Sequence, residues 1–388
     1  MLIANGTVHD GRGSAFPASV RIEDGVITEV AQDLPAREGE EVFDAAGMEV
    51  MPGFIQAIGH WGVNGSMTEI RPSSQDNDEL SEPITPELEA FYAFNGRAAT
   101  TQQLGAWGLT AQGVAPTDNN LFGGTVSVVG LTGVNPYDLL IKRNVAMAAS
   151  VMGSMRDAYG KRGAAPQTRM WIFTHLDEQL RLAEAYDPKP EEKPNDELAA
   201  LKPVVEGELP LIVSCDSGVA IAHVRDILAK YPKVRFVIMN GAGLTGDEDW
   251  MVERGVSLIV RNPSSPLDEA GAPAPFSWKA IAKLMDKGVD VALDGEYSNT
   301  LGAREDLIWN AAELMKELHD EERVLAAITS APAKILGVED TIGAIAPGMR
   351  ADVCVWSANP LKTYDAHAVR TFQAGEVVYA EGDEKTCM

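Results

Sequence analysis

The chain has 388 residues, 45% of them hydrophobic and 23% charged, an ordinary globular composition with length enough for a full core and an accessory domain. A formal charge of −25 would repel nucleic acid and anionic lipid, and no run approaches the roughly eighteen apolar residues that a membrane span needs, so neither is an expected partner. Three scattered cysteines, Cys215, Cys354 and Cys387, exclude a disulfide framework and a cysteine-based zinc site; with no secretory pattern in MLIANGTVHDGRG, reduced thiols and a cytoplasmic location are the expectation.

Residues 1–50 read as short strands with turns: MLIANGTVHD, then SVRIEDGVITEVA with a hairpin signal at Asp24 and Gly25, then EVFDAAGMEV. RADVCVWSA, AVRTFQAG and EVVYAEG repeat the pattern near the other end. Neither end is rich enough in apolar residues for its own core, so 1–50 and 340–388 are expected to build one small β-sandwich domain together.

Over 51–339 the pattern changes, and β-branched runs alternate with helical stretches, as in LPLIVSCDSG, VAIAHVRDILAKYP, KVRFVIMNG and SWKAIAKLMDKG. This predicts an α/β protein with a TIM-like (β/α)8 barrel; no G-x-G-x-x-G follows a strand to favour a dinucleotide fold. PKPEEKPNDE, 188–197, reads as a charged surface loop. SSQDNDELSEPITPELE, 74–90, reads either as a lid over the barrel mouth or as a solvated insertion. In NLFGGTVSVVGLTG, 120–133, the Gly-Gly pair is a turn or an approach for an anionic ligand.

The terminal β-strands, the stretch VMPGFIQAIGHWG and the tail APAKILGVEDTIGAIAPGMRADVCVW together resemble the amidohydrolase superfamily along nearly the whole chain. The most specific pieces, PGFI and IGAIAPGMRADV, carry structure rather than chemistry, so the resemblance speaks first for fold. It implies one or two divalent metals at the C-terminal mouth of the barrel, where a metal activates water and polarises a scissile carbonyl in C–N bond hydrolysis.

Set against that family pattern, the ligand positions of this chain are poor in donors. The His-x-His of the first barrel strand, whose i and i+2 side chains share a face, is Ile58 and His60 here. The place of a metal-bridging lysine falls on Ala146, the later histidines on the Ser214, Cys215, Asp216 run and on Asn240, and the terminal aspartate on Glu296, with Asp294 two residues before it. A dismantled binuclear centre is expected, with no confident cofactor and at most one divalent metal ion, for instance a hard cation held by Asp216, Glu296 and His60.

His60, Asp294 and Glu296 are the candidate catalytic residues, two carboxylates on one strand face being able to raise each other's pKa; Trp61, Ser214, Asp216 and Asn240 are candidates for lining a pocket. The blander alternatives are a hydrogen-bonded pocket histidine and a solvated polar rim. Cys215 faces away from Ser214 and Asp216 and reads as packing, and His175, His223 and His319 read as helix residues. The expectation favours a non-catalytic binding or partner subunit, homo-oligomeric or paired with a related chain and open to a small-molecule ligand; the alternative is an active C–N hydrolase with one atypical metal or acid-base residues at the mouth.

Overall fold

The structure, a computed structural model, describes residues 1–63, 76–190, 193–240, 243–244, 246–261, 277–295 and 303–382. Glu296 and Cys387 lie outside the described residues. In chain order the N-terminal strands are β1 (Leu2–His9), β2 (Ala15–Glu23), β3 (Val26–Ala31), β4 (Val42–Asp44) and β5 (Glu49–Pro52). A second group follows: β6 (Phe54–Gly59), β7 (Leu109–Val114), β8 (Phe122–Gly130), β9 (Leu140–Ser150), β10 (Leu211–Ser214), β11 (Phe236–Met239), β12 (Ser257–Arg261) and β13 (Val291–Asp294). The last strands are β14 (Val353–Trp356), β15 (Ala368–Gln373) and β16 (Glu376–Ala380).

Both ends of the chain share one sheet, in the order β16-β15-β14-β5-β1-β2-β3, with β4 beside β1. Asp24 and Gly25 turn the β2–β3 hairpin with φ of 50° and 78°, as the Asp-Gly pair predicts. This turn meets the β15–β16 turn, where Ala351 donates its N–H to the Gly25 carbonyl and Gly375 donates to Ala351. The sheet therefore folds back on itself, and its core of Ile3, Val20, Ile27, Val353 and Phe372 needs residues from both termini.

The second sheet runs β6 to β13 in sequence order and closes nearly into a barrel. β13 returns beside β6, where the Ile58 N–H points to Asp294 Oδ1 at 3.4 Å and the Gly295 N–H donates to Gln56 Oε1 at 3.1 Å. Strand parity sorts the side chains. Ile212, Val237, Ile259 and Ala292 join one apolar cluster with the segment that includes Leu336, Val338 and Ile342, whereas Val213, Ile238, Leu258 and Leu293 pack with the helices outside. Two residues past the first set, at the C-terminal strand ends, stand Ser214, Met239, Arg261 and Asp294. The inner layer is thus apolar below and largely polar at the mouth.

One strand departs from strict β/α alternation: β8 pairs antiparallel with both β7 and β9. Its Gly-Gly pair is not a turn, because Gly123 and Gly124 lie inside the strand. A Cβ on Gly124, whose φ is +124°, would stand 2.5 Å from the Leu88 carbonyl oxygen, so glycine is there to admit the 84–89 segment. That segment bridges at Ile84 to Phe122 and at Glu89 to Thr125, and Asn120 and Tyr159 bind the carbonyls of Glu79 and Glu82. The described part of the 74–90 excursion is therefore anchored along β8.

Candidate functional site

The mouth is organised around a guanidinium. Arg261 ends β12 and aims Nη2 and Nε at Asp294 Oδ2, at 2.7 and 2.9 Å. Its Nη2 also reaches the Ile58 carbonyl at 3.3 Å, and Nη1 stands 3.7 Å from Asp118 Oδ2. Gln56 Nε2 donates to Asp294 Oδ1, and Ser214 Oγ donates to Asp118 Oδ1 at 2.5 Å. Asn310, from the helix Ala303–Leu318, holds the Asp294 carbonyl at 2.8 Å. Asp294 is fully buried.

Burial sets the protonation states here. It pushes the Asp294 carboxyl up to about 6, with the Asp118 charge adding to the rise and Arg261 opposing it. Asp118 is raised as well, chiefly by burial, against the pull of Arg261 and Ser214. His60 moves the other way: burial, with the Arg261 charge beside it, lowers it to about 3, so the imidazole is neutral. His60 Nε2 faces the Pro116 carbonyl at 3.3 Å.

The other expected site residues take different places. Ser214 belongs to the mouth network. Asp216 anchors a loop instead, with Oδ2 accepting from the Gly153 N–H at 2.8 Å and Oδ1 from Ser217 Oγ at 2.9 Å, while Arg169 stands 3.4 Å away. Both its oxygens are engaged in that anchoring, which leaves it poorly suited to the expected cation. Trp61 packs in the large apolar cluster, and its carbonyl accepts from Gln112. Asn240 has a left-handed φ of 71° and points Nδ2 at Met152 Sδ, 3.1 Å away. Cys215 is buried with its thiol pKa pushed up, as a packing residue. His175 and His223 lie on helices, stacked on Trp171 and packed on Phe173. Of the expected carboxylate pair, the rise at Asp294 among the described residues comes from burial and Asp118.

Sequence reasoning missed Gln56, Asp118 and Arg261. The one available signal was an arginine closing an otherwise apolar strand, VSLIVRN, at the parity of the inner layer.

The metal centre that this fold family implies can be tested on these donors. Ile58 offers no lone pair, Ala146 is a buried methyl, and Ser214 is spent on Asp118. The carboxylate best placed for a metal, Asp294, is already neutralised by a cation, since a guanidinium stands 2.7 Å from its oxygen. The described residues do not fit a zinc pair.

The fold is a nearly closed eight-stranded barrel beside a sheet built from both termini. The structure superposes on an amidohydrolase from Thermotoga maritima with a TM-score of 0.89 at 23% identity, covering 98% of this chain and 99% of that one. A family model described as "Amidohydrolase family" matches residues 268–379. The chain is 33% identical over 132 residues to a 5-methylthioadenosine/S-adenosylhomocysteine deaminase of Desulforudis audaxviator, covering 31% of this chain and 29% of the deaminase. It is 23% identical over 380 residues to the amidohydrolase tasK of Hapsidospora irregularis, covering 88% of this chain and 38% of tasK. The match thus spans well under half the length of either relative. The chain thus has the fold of an amidohydrolase, and its residues 268–379 match that family's model.

Proposed function

We propose that this protein keeps the amidohydrolase barrel without the family's metal-dependent hydrolysis, and acts as a binding or partner subunit, in a homo-oligomer or paired with a related chain. The observation that carries this reading is the Arg261–Asp294 ion pair: the positive charge that a metal would bring to the mouth is supplied by a side chain. A guanidinium has no open coordination position and cannot generate a metal-bound hydroxide. Ile58 and Ala146 remove two further donors at the places the family resemblance assigns to ligands.

One observation favours a second reading. Two carboxyls with raised pKa values, the buried Asp294 and the half-buried Asp118, flank one guanidinium beside a neutral imidazole, a set able to exchange protons near neutral pH. Under that reading the mouth hydrolyses C–N bonds by acid-base chemistry.

The test is hydrolysis of a panel of linear and cyclic amides by purified protein supplied with zinc or manganese, alongside the Asp294→Asn variant. The proposal expects turnover no higher in the wild type than in the variant, and co-purification of a related chain or self-association on a sizing column. Metal-stimulated turnover that Asp294→Asn abolishes overturns it; metal-independent turnover lost in the same variant establishes the second reading.

A further inference from the structure

A separate set of donor atoms lies where the terminal sheet meets the helix Glu321–Ala326. His9, at the end of β1, is 3% exposed, and both its ring nitrogens face carboxylates: Nδ1 stands 2.7 Å from Glu322 Oε1 and Nε2 stands 2.9 Å from Glu49 Oε2. One donor atom each from His9, Glu321 and Glu322 lies within 4.8 Å of the others. Glu322 Oε2 is itself buried and accepts no hydrogen bond. Glu321 Oε1 accepts from Asn359 and Oε2 pairs with Lys362, so Glu321 reaches a metal only by giving up the exposed lysine.

We propose that His9, Glu321 and Glu322 bind one divalent transition metal of the zinc, cobalt or manganese class. One imidazole and two carboxylates are a sufficient three-ligand set for such an ion, with a fourth position left for water. Glu49 has the supporting role: a metal-bound histidine characteristically donates its other ring N–H to a carboxylate, which fixes the ring and strengthens the donor nitrogen. With Nε2–H given to Glu49, Nδ1 on the Glu322 side is the ring nitrogen left for the metal.

The orphan oxygen of Glu322 is the independent sign. A buried carboxylate oxygen without a donor is costly in a simple ion pair, and a cation between Glu322 and His9 satisfies it. Lys362 is 53% exposed, so its ammonium can leave Glu321 for solvent as the metal arrives. A bound ion would fasten β1 to the helix Glu321–Ala326, two elements over 300 residues apart in the chain, and so would raise stability by linkage.

The site is independent of the reading given to the mouth, and the experiment separates the two. Protein stripped with chelator is incubated with Zn²⁺, Co²⁺ or Mn²⁺ in turn and desalted; retained metal is then counted by elemental analysis and the thermal midpoint recorded. The expected result is about one retained equivalent and a midpoint raised by several degrees. Both are lost in Glu322→Gln and His9→Gln, and both persist in Asp294→Asn. Wild type that retains no metal overturns the site without recourse to any variant, which covers the case of His9→Gln failing to fold. Equal retention by Glu322→Gln overturns it as well. Metal lost in Asp294→Asn but kept in Glu322→Gln places the ion in the mouth and overturns both readings, whereas amide turnover with metal retention still dependent on Glu322 overturns only the reading of the mouth.

Discussion

Arg261 and Asp294 end neighbouring strands of the barrel and form a buried ion pair, two guanidinium nitrogens converging on Asp294 Oδ2 at 2.7 and 2.9 Å while Gln56 takes Oδ1. Removing one partner leaves the other charge stranded away from water. Arg261→Met should therefore cost roughly 3–5 kcal/mol of unfolding free energy, and adding Asp294→Asn to it should restore part of that loss, because the fully buried charge goes and only Asp118, still held by Ser214, is left without the guanidinium. Denaturant melts of the two single variants and the double variant measure the coupling. Additive losses would show that the pair is not the electrostatic unit described here.

His60 gives the mouth a pH dependence of defined sign. Its folded pKa is lowered to about 3 from 6.5, so the unfolded chain takes up a proton that the folded one refuses. The stability contributed by the neutral imidazole is complete above pH 6.5 and falls as pH drops from 6.5 toward 3, at about 1.4 kcal/mol per pH unit. Asp294 acts oppositely: its pKa is raised to about 6 from 3.8, so its penalty is complete above pH 6 and fades as pH falls through that window toward 3.8. The two slopes offset in the wild type. His60→Gln should uncover the Asp294 slope, and the stability difference between wild type and variant should move by about 1.4 kcal/mol per unit below pH 6.5. Unfolding curves at pH 7, 6 and 5 decide it, a constant difference being the contrary result.

The barrel was legible because strand parity and β/α rhythm are local: LIVSCDSG and KVRFVIMNG show their apolar inner residues directly. The double origin of the terminal sheet was legible from the scarcity of apolar residues at each end. The chemistry of the mouth was not. Gln56 meets Asp294 across 238 positions of sequence, a contact that exists only once the last barrel strand returns to the first. Asp118 sits in a turn-like run, PTDNN, where an aspartate ordinarily signals loop geometry. Arg261 at a strand end reads as a solvated rim until closure buries it. Family likeness led to the expectation that Ile58 and Ala146 stand where ligands would, but it held no sign of the cation on Arg261.

Restoring a ligand alone should not restore a metal at the mouth. Ile58→His rebuilds the His-x-His pair with His60, yet Arg261 still neutralises Asp294. The single variant should bind no more zinc than a parent whose Glu322 has been changed to Gln. Ile58→His combined with Arg261→Gln, in that same background, should gain zinc affinity by tenfold or more, since outer interactions of metal ligands alone are worth about 10–100-fold. Competition titration with a zinc-sensitive dye reads the affinity. Tight zinc binding in the single variant would show that the guanidinium does not block the position.

Gly124 offers a test of the anchored excursion. Its φ of +124° disfavours any side chain, and a Cβ would meet the Leu88 carbonyl oxygen at 2.5 Å. Gly124→Ala should destabilise by about 2 kcal/mol from backbone strain, with more if the 84–89 segment is displaced. Proteolysis distinguishes the two contributions, because displacement exposes the bonds around Leu88 to cleavage. A variant as stable as the wild type would mean that the segment does not press on β8.

The two buried cysteines should be inert in the native state. Burial pushes both thiols upward, Cys354 to about 12 and Cys215 higher, and Cys215 also feels the neighbouring charges of Asp216 and Asp118. Alkylation proceeds through the thiolate, whose population at pH 8 would be reduced at least a thousandfold even with full solvent access. Iodoacetamide at pH 8 should leave both peptides unmodified in folded protein and modify both in urea, as mass spectrometry of the digests would show. Rapid labelling of Cys215 under native conditions would mean that the β10 end opens, and with it the loop that Asp216 ties to Gly153 and the Ser214 contact to Asp118.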